Sequence, residues 1–113
     1  MVADDDPAIV DSIKLMLEIS GYEVVTSVDA SILEVLNYEL PNLLLLDIWM
    51  SGIDGRKICK KIKATERTKY IPVVLVSASK DVRKSAQESG ADAFLAKPFE
   101  MDDLLALVEK FAH

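Results

Sequence analysis

Four consecutive leucines, Leu43 to Leu46, end directly on Asp47, and this feature constrains the fold of the chain more than any other. The run is too short for a typical helix and lacks the alternation of a half-exposed strand, so it predicts a strand buried on both faces. Open α/β sheets carry their working residues at the carboxyl ends of such strands. Asp47 stands at that end, before a Gly-containing turn, and is therefore the first candidate functional residue.

Apolar strands and amphipathic helices alternate five times along the 113 residues. The predicted strands are Met1 to Ala3, Tyr22 to Val28, Leu43 to Leu46, Ile71 to Val76 and Ala93 to Ala96. The predicted helices run from Pro7 to a stop at Gly21, from Ser31 to near Pro41, from Arg56 to Ala64, from Lys80 to Ser89 and from Glu100 to Phe111. This alternation predicts a single α/β domain of the flavodoxin-like, doubly wound (βα)5 class, with a five-stranded parallel sheet in the order 2-1-3-4-5. Its first strand is very short.

Local residues that favour helix starts and turns agree with this alternation of strands and helices. Asp6 followed by Pro7 predicts a helix N-cap and first residue. Either Asp29 or Ser31 could cap the second helix. Asp54 is interpreted as a turn former, because Asp-Gly is a turn signal by itself.

Composition excludes several classes of function. A lone Cys59 excludes an internal disulfide or a multi-cysteine zinc site, and His113 at the terminus leaves no histidine for hydrolase chemistry inside the fold. The net charge of −6 argues against direct binding of nucleic acid by this domain. No apolar run approaches the roughly 18 residues of a membrane span and no signal peptide precedes the acidic start, so we expect a cytoplasmic protein without membrane contact.

The predicted strand order brings three carboxylates together. Strands 1 and 3 are neighbours, so Asp4, Asp5 and Asp47 share one rim of the sheet. Such a cluster is tolerable if some carboxyls are protonated or if a cation sits among them, and Mg²⁺ suits oxygen ligands that leave room for water. Mn²⁺ or Ca²⁺ could substitute. The fourth and fifth strands bring the Ser77 hydroxyl and the Lys97 ammonium to the same rim, a set that suits phosphoryl transfer to a carboxylate.

Five motifs in order make the chain, over residues 1–113, resemble the CheY-like receiver domains of two-component response regulators. The motifs are Asp4-Asp5-Asp6-Pro7, the stretch from Leu46 to Gly55, Ser77-Ala78, Gly90-Ala91-Asp92 and Lys97-Pro98-Phe99.

The resemblance implies a role for each matching residue. Asp47 would be the phospho-acceptor, and Asp5, Asp47 and the Trp49 carbonyl would be metal ligands supported by Asp4. Ser77 and Lys97 would be the catalytic hydroxyl and lysine. The switch residues would be Ser77 and Phe94, and Lys97-Pro98 would be a cis peptide.

The same resemblance implies partners and a mode of action. A sensor histidine kinase or a histidine phosphotransfer protein would supply the phosphoryl group. The surface formed by the fourth helix, fifth strand and fifth helix would then bind a downstream effector domain or protein, and a homodimer is compatible with that surface. The chain would modify only itself and would not be an enzyme toward other substrates.

Three alternatives and one departure from the family pattern stay open. A haloacid-dehalogenase-like phosphatase would need a second Asp two residues after the nucleophile, where Trp49 stands. A flavodoxin-like FMN protein would need a Ser/Thr-rich loop after the first strand. A receiver that signals without phosphate is the third alternative. The bulky Trp49 ring at the rim predicts slower loss of phosphate from Asp47.

Overall fold

The computed structural model describes residues 1–27, 32–38, 40–50, 52–78 and 80–112. Its main sheet contains five parallel strands in the order β2-β1-β3-β6-β7. These strands are Val2–Ala3 (β1), Thr26–Ser27 (β2), Leu44–Asp47 (β3), Val73–Ser77 (β6) and Ala93–Ala96 (β7). The predicted order 2-1-3-4-5 and the very short first strand are therefore confirmed.

A small antiparallel ribbon lies between β3 and the third helix. It pairs Trp49–Met50 (β4) with Ile53–Asp54 (β5). The sequence predicted only a turn there, because two-residue strands leave no periodicity to detect.

Five helices accompany the strands within the described residues. They are Pro7–Ile19 (α1), Ile32–Val35 (α2), Gly55–Ala64 (α3), Val82–Ser89 (α4) and Met101–Phe111 (α5). The Asp6 side chain accepts hydrogen bonds from the Ala8 and Ile9 amides, which confirms the predicted N-cap. Gly90 adopts a left-handed conformation with φ of 79° and ends α4 as predicted.

The strand predicted from Ile71 and the helix predicted from Lys80 each begin two residues later, at Val73 and Val82. Two other predicted elements are much shorter in the structure. The prediction of a strand over Tyr22 to Val25 is wrong, because β1 offers only Val2 and Ala3 as partners and they pair with Thr26 and Ser27. The second helix ends at Val35 and continues as a turn to Tyr38, so its predicted extension toward Pro41 is also wrong. The cap candidates Asp29 and Ser31 lie outside the described residues, as does Val28.

The leucine run packs on both faces of the sheet, as its lack of alternation predicted. Leu44 and Leu46 join a core with residues of α2, α3 and α4. Leu45 faces the opposite core, which contains residues of α1 and α5. All three leucines are buried, so β3 is held from both sides and Asp47 emerges from a rigid strand.

The start of β1 is also buried. The Met1 ammonium donates to the Leu43 carbonyl at 2.7 Å, and its burial lowers the pKa of the amine to about 6. A cavity of about 490 Å³ lies beside it, with Tyr22, Val25 and Leu40 among its walls. Residues that precede β2 and β3 line this cavity, which lies at the end of the sheet opposite Asp47.

Gly55 lets α3 begin against the end of β3. A Cβ at this position would overlap the carbonyl oxygen of Asp47 and lie 2.9 Å from the Cα of Ile48. Both obstacles are backbone atoms, which cannot rotate away. Glycine is therefore required here by close approach of α3 to the strand that carries Asp47.

We expect Gly55→Ala to lower the free energy of unfolding by about 1–3 kcal/mol, because the added methyl group forces the two backbones apart. Helix propensity alone favours alanine over glycine by about 1 kcal/mol and would make the variant more stable. We expect the clash with the backbone of β3 to outweigh this gain. Urea denaturation followed by circular dichroism measures the change. Lys60→Ala, at an exposed position of α3, is the control and should lie within about 0.5 kcal/mol of the parent. A Gly55→Ala variant as stable as the parent would contradict this account.

Candidate functional site

Three carboxylates converge at the carboxyl ends of β1 and β3. Carboxylate oxygens of Asp4, Asp5 and Asp47 all lie within 4.8 Å of one another. Asp4 and Asp47 are buried, whereas Asp5 is exposed. The pairing of β1 with β3 produces this convergence, because it places the residues that follow Ala3 beside the end of the leucine strand.

Lys97 joins the cluster from the far side of the sheet. Its Nζ lies 2.8 Å from Oδ2 of Asp4 and 3.7 Å from Oδ1 of Asp47. Its backbone N–H donates to the Ser77 carbonyl at 2.8 Å, and the Lys97-Pro98 peptide is cis, as expected. The single ammonium therefore contacts two of the three carboxylates and partly offsets their repulsion.

Asp4 has a second fixed contact. Its Oδ1 accepts the Asp6 amide at 3.0 Å, while Oδ2 accepts from Lys97. Both oxygens of this buried carboxylate are thus engaged by the protein. This arrangement suits the supporting role expected for Asp4, with Asp5 and Asp47 left closer to solvent.

Ser77 and Phe94 lie at different distances from the rim that carries the carboxylates. Ser77 is the last residue of β6 and is buried at the same rim, opposite Ala96 in the β6–β7 register. Phe94 pairs with Leu75, farther from the rim, and its half-buried ring lies under the Arg83 guanidinium at 5.4 Å. The structure therefore gathers Ser77 with the carboxylates and keeps Phe94 apart from them.

Trp49 contributes its backbone to the site and its ring to the surface. Its backbone amide favours the ionised form of the Asp47 carboxyl and so slightly opposes the rise in the pKa of that group. The side chain is 58% exposed, and the Arg56 guanidinium stacks over the ring at 5.1 Å. The role of the Trp49 carbonyl as a metal ligand stays a prediction.

Asp54 does more than the turn-forming role assigned from the sequence. It is the N-cap of α3, where its carboxylate accepts the Arg56 amide at 2.9 Å. The same carboxylate binds the Arg56 guanidinium through two oxygens, at 2.8 to 3.2 Å. Asp54 thereby holds Arg56 in position over Trp49. An Asp before a predicted helix is a cap signal, but nothing local indicates the stacking.

The cluster changes the acidity of Asp47. Burial, followed by the charge of Asp4, raises the pKa of the Asp47 carboxyl from 3.8 to about 6, although the ammonium of Lys97 opposes the shift. Ionised Asp47 is therefore destabilised by its surroundings. A cation among the three carboxylates would favour the ionised form.

The fold and this rim identify the class of the protein, and sequence comparison agrees. Residues 1–109 match the family model described as the response regulator receiver domain. The chain belongs to this family. It is therefore a receiver domain of a two-component response regulator.

Individual relatives support the same assignment. The chain is 38% identical over 111 residues to the DNA-binding dual master transcriptional regulator RpaA of Synechocystis sp., covering 96% of this chain and 46% of RpaA. It is 39% identical over 108 residues to the response regulator PleD of Caulobacter vibrioides, covering 93% of this chain and 23% of PleD. The chain thus spans half or less of these two relatives.

Structural comparison gives the same family. The crystal structure of the receiver domain of NtrX from Brucella abortus superimposes with a TM-score of 0.88 at 34% identity, over 98% of this chain and 95% of that one. In the part of the chain that the structure describes, no helix has the length and apolar character needed to cross a membrane.

The raised pKa of Asp47 predicts how the metal-free protein responds to pH. The unfolded carboxyl ionises near pH 4 and the folded one near pH 6, so ionisation of Asp47 costs stability as pH rises through this window, and the full cost is present above it. We expect Asp47→Asn, measured by urea unfolding in EDTA at pH 7.5, to be about 1–2 kcal/mol more stable than the parent, after allowance for water at the rim. The difference should shrink progressively between pH 6 and pH 4.

The exposed Asp11→Asn makes the same chemical change away from the site and should show no such gain. If Asp47→Asn were instead less stable than the parent at pH 7.5, attraction to Lys97 would outweigh burial and repulsion.

Proposed function

We propose that this receiver domain is a phosphorylation-dependent switch that accepts a phosphoryl group on Asp47 from a histidine kinase or a histidine phosphotransfer protein. The convergence of Asp4, Asp5 and Asp47 within 4.8 Å, with Lys97 beside them, is the observation that carries the proposal. Membership of the receiver family supports it.

The donor set at the rim fits a hard divalent cation. All three side chains offer carboxylate oxygens, and the exposed Asp5 leaves a solvent side where bound water can remain. Asp5, Asp47 and the Trp49 carbonyl would hold Mg²⁺, with Mn²⁺ or Ca²⁺ as substitutes, and Asp4 would support them. When bound, the cation neutralises charge on the phosphoryl oxygens.

The chemistry asked of the protein is simple. An oxygen of ionised Asp47 attacks phosphorus, the new P–O bond forms, and the P–N bond to the donor histidine breaks with its electrons returning to the imidazole. Lys97 would shift toward the transferred oxygens, and Ser77 would donate a hydrogen bond to one of them. The reaction depends on positioning and charge, and it acts on the domain itself, so we do not regard the domain as an enzyme toward other substrates.

The signal would leave the site through Phe94. An open surface depression of about 490 Å³ is lined by Phe94, with Arg83, Gln87 and Leu107 among its other walls. This space supports a movement of Phe94 that accompanies engagement of Ser77. The surface of α4, β7 and α5 would then bind its partner more tightly, the partner being an effector domain or protein or a second copy of the domain.

We place the activity in the cytoplasm and expect neither membrane nor direct nucleic acid contact by this domain.

Titration of Mg²⁺ and then beryllofluoride, a phosphoryl mimic, against Trp49 fluorescence tests the proposal. Trp49 is the only tryptophan and stands two residues after Asp47, so each ligand should produce a saturable change. Asp47→Ala should abolish the response to beryllofluoride, while the control Asp11→Ala should retain it. Absence of a response, with no binding heat by calorimetry, would favour a receiver that signals without phosphate.

The Trp49 ring generates a separate prediction about phosphoryl lifetime. Arg56 holds the exposed ring near the rim, where it hinders approach of water to the acyl phosphate. We expect Trp49→Asn to lose phosphate several-fold faster, measured by decay of the radiolabelled protein. Tyr70→Asn removes an even more exposed aromatic ring elsewhere and should leave the lifetime unchanged. An unchanged lifetime in Trp49→Asn would refute a protective role.

A further inference from the structure

Positive charge is concentrated in one segment of this acidic chain. Residues 56–69 contain seven of the thirteen basic residues and one of the nineteen acidic residues. The segment therefore carries a formal charge of +6, and the remainder of the chain carries −12. A net charge of −6 conceals this division.

Some of these basic residues have structural partners. Arg56 binds Asp54, Lys63 binds Asp92, and Lys69 binds Glu66. Lys57, Lys60 and Lys61 differ, because all three are exposed and none forms an ion pair with another described residue. We call these three residues the lysine face of α3.

The lysine face is unfavourable for the isolated helix. Lys57 is three residues from Lys60 and four from Lys61, so the ammonium groups are neighbours on one side of α3. Like charges at this spacing destabilise a helix. An acidic partner would relieve this repulsion.

An apolar groove adjoins the lysine face. It has a volume of about 230 Å³ and lies between α2 and α3, with Leu33, Leu36, Ile62 and Thr65 among its walls. Cavities of roughly 150 Å³ hold a benzene ring, so this groove can take an aliphatic side chain. Lys61 also lines the groove, which makes the two features one continuous surface.

The groove wall is fixed by a contact between elements. Arg67 donates to the Asn37 carbonyl and so ties the turn after α2 to the turn after α3. Thr68 donates to the Ile62 carbonyl at 2.8 Å and secures the end of α3. Glu34 is the one acidic residue among the described groove residues.

We propose that the lysine face of α3 and the adjoining α2–α3 groove form a docking site for an acidic amphipathic helix of a partner protein. An apolar side chain of that helix enters the groove, and carboxylates three and four residues apart meet the lysines at matching spacing. This surface is distinct from the Asp47 rim and from the face of α4, β7 and α5. It adds a partner site that does not require phosphorylation.

The size and surroundings of the site favour a protein over a nucleic acid. The ten residues of α3 span about 15 Å, so an extended polyanion would soon pass the lysines and meet a molecule that is otherwise strongly acidic. Phosphate groups are charged and would also leave the apolar groove unfilled. A short helix with both acidic and aliphatic side chains satisfies both features.

A synthetic fluorescein-labelled helical peptide tests the proposal on the 113-residue chain. The peptide carries leucines at i and i+4 on one face with glutamates flanking them, and binding is measured by fluorescence anisotropy. We expect Lys57→Glu/Lys60→Glu/Lys61→Glu to weaken binding at least about tenfold, because three exposed ion contacts are lost. Affinity should also fall when ionic strength rises from about 0.05 M to about 0.5 M.

Two controls separate this site from general charge effects. Lys80→Glu/Lys84→Glu/Lys110→Glu makes the same change in net charge at exposed lysines elsewhere and should bind almost normally. A peptide of the same composition in scrambled order, without an apolar face, should bind at least about tenfold more weakly. Circular dichroism checks folding, and Lys57→Gln/Lys60→Gln/Lys61→Gln replaces the reversed variant if that one does not fold.

Three results would overturn the proposal. Equal weakening by both triple variants would show that net charge alone matters. Equal binding of the ordered and scrambled peptides would remove the role of the groove. Binding of duplex DNA, or of vesicles containing anionic phosphatidylglycerol, that depends on these lysines in the absence of peptide binding would assign the face to a different class of partner.

Discussion

The ammonium of Lys97 makes the acidic rim possible. It lies 2.8 Å from Asp4 and 3.7 Å from Asp47, and so links the ends of β1, β3 and β7 across the sheet. Without a cation near this position, two buried carboxylates and a third beside them would repel one another. The balance is incomplete, because the pKa of Asp47 still rises to about 6. The surroundings of Asp47, the proposed nucleophile, thus disfavour its ionised form, and a divalent cation at the rim would favour that form.

Close contact between α3 and β3 connects the site to the rest of the surface. Gly55 begins the helix directly against the backbone of Asp47 and Ile48. Asp54 caps that helix and positions Arg56 over Trp49. The lysine face lies on the same helix, so β3 with its proposed phospho-acceptor, the Trp49 ring and the proposed docking surface all contact α3 or belong to it.

The sequence predicted most of the fold because the informative patterns are local. The leucine run ending at Asp47, the Asp6-Pro7 cap and the glycine stops each lie within a few residues, and the structure confirms them. The strand expected over Tyr22 to Val25 failed because its pairing depends on the length of β1, which is not encoded nearby. The stacking of Arg56 on Trp49 was missed for the same kind of reason, since it depends on the β4–β5 ribbon. The candidate site could be predicted because the common strand order of this fold class places the ends of β1 and β3 side by side. The pKa of Asp47 could not be predicted, because it depends on burial that only the packed structure defines.

The two-residue β1 divides the sheet into unequal parts. It pairs through only two residues with β2 and two with β3, while β3 and β6, and β6 and β7, each pair through four. Partial unfolding separates the parts of a structure that share the fewest contacts. We therefore expect α1 and β2 to exchange their amide hydrogens at a lower free energy of opening than β3, β6 and β7. Asp5, which follows β1, and Asp47, which ends β3, stand on opposite sides of the short β1–β3 pairing. A cation bound by both would therefore also link the two parts of the sheet. The two parts would then unfold as one cooperative unit once the proposed site holds its metal.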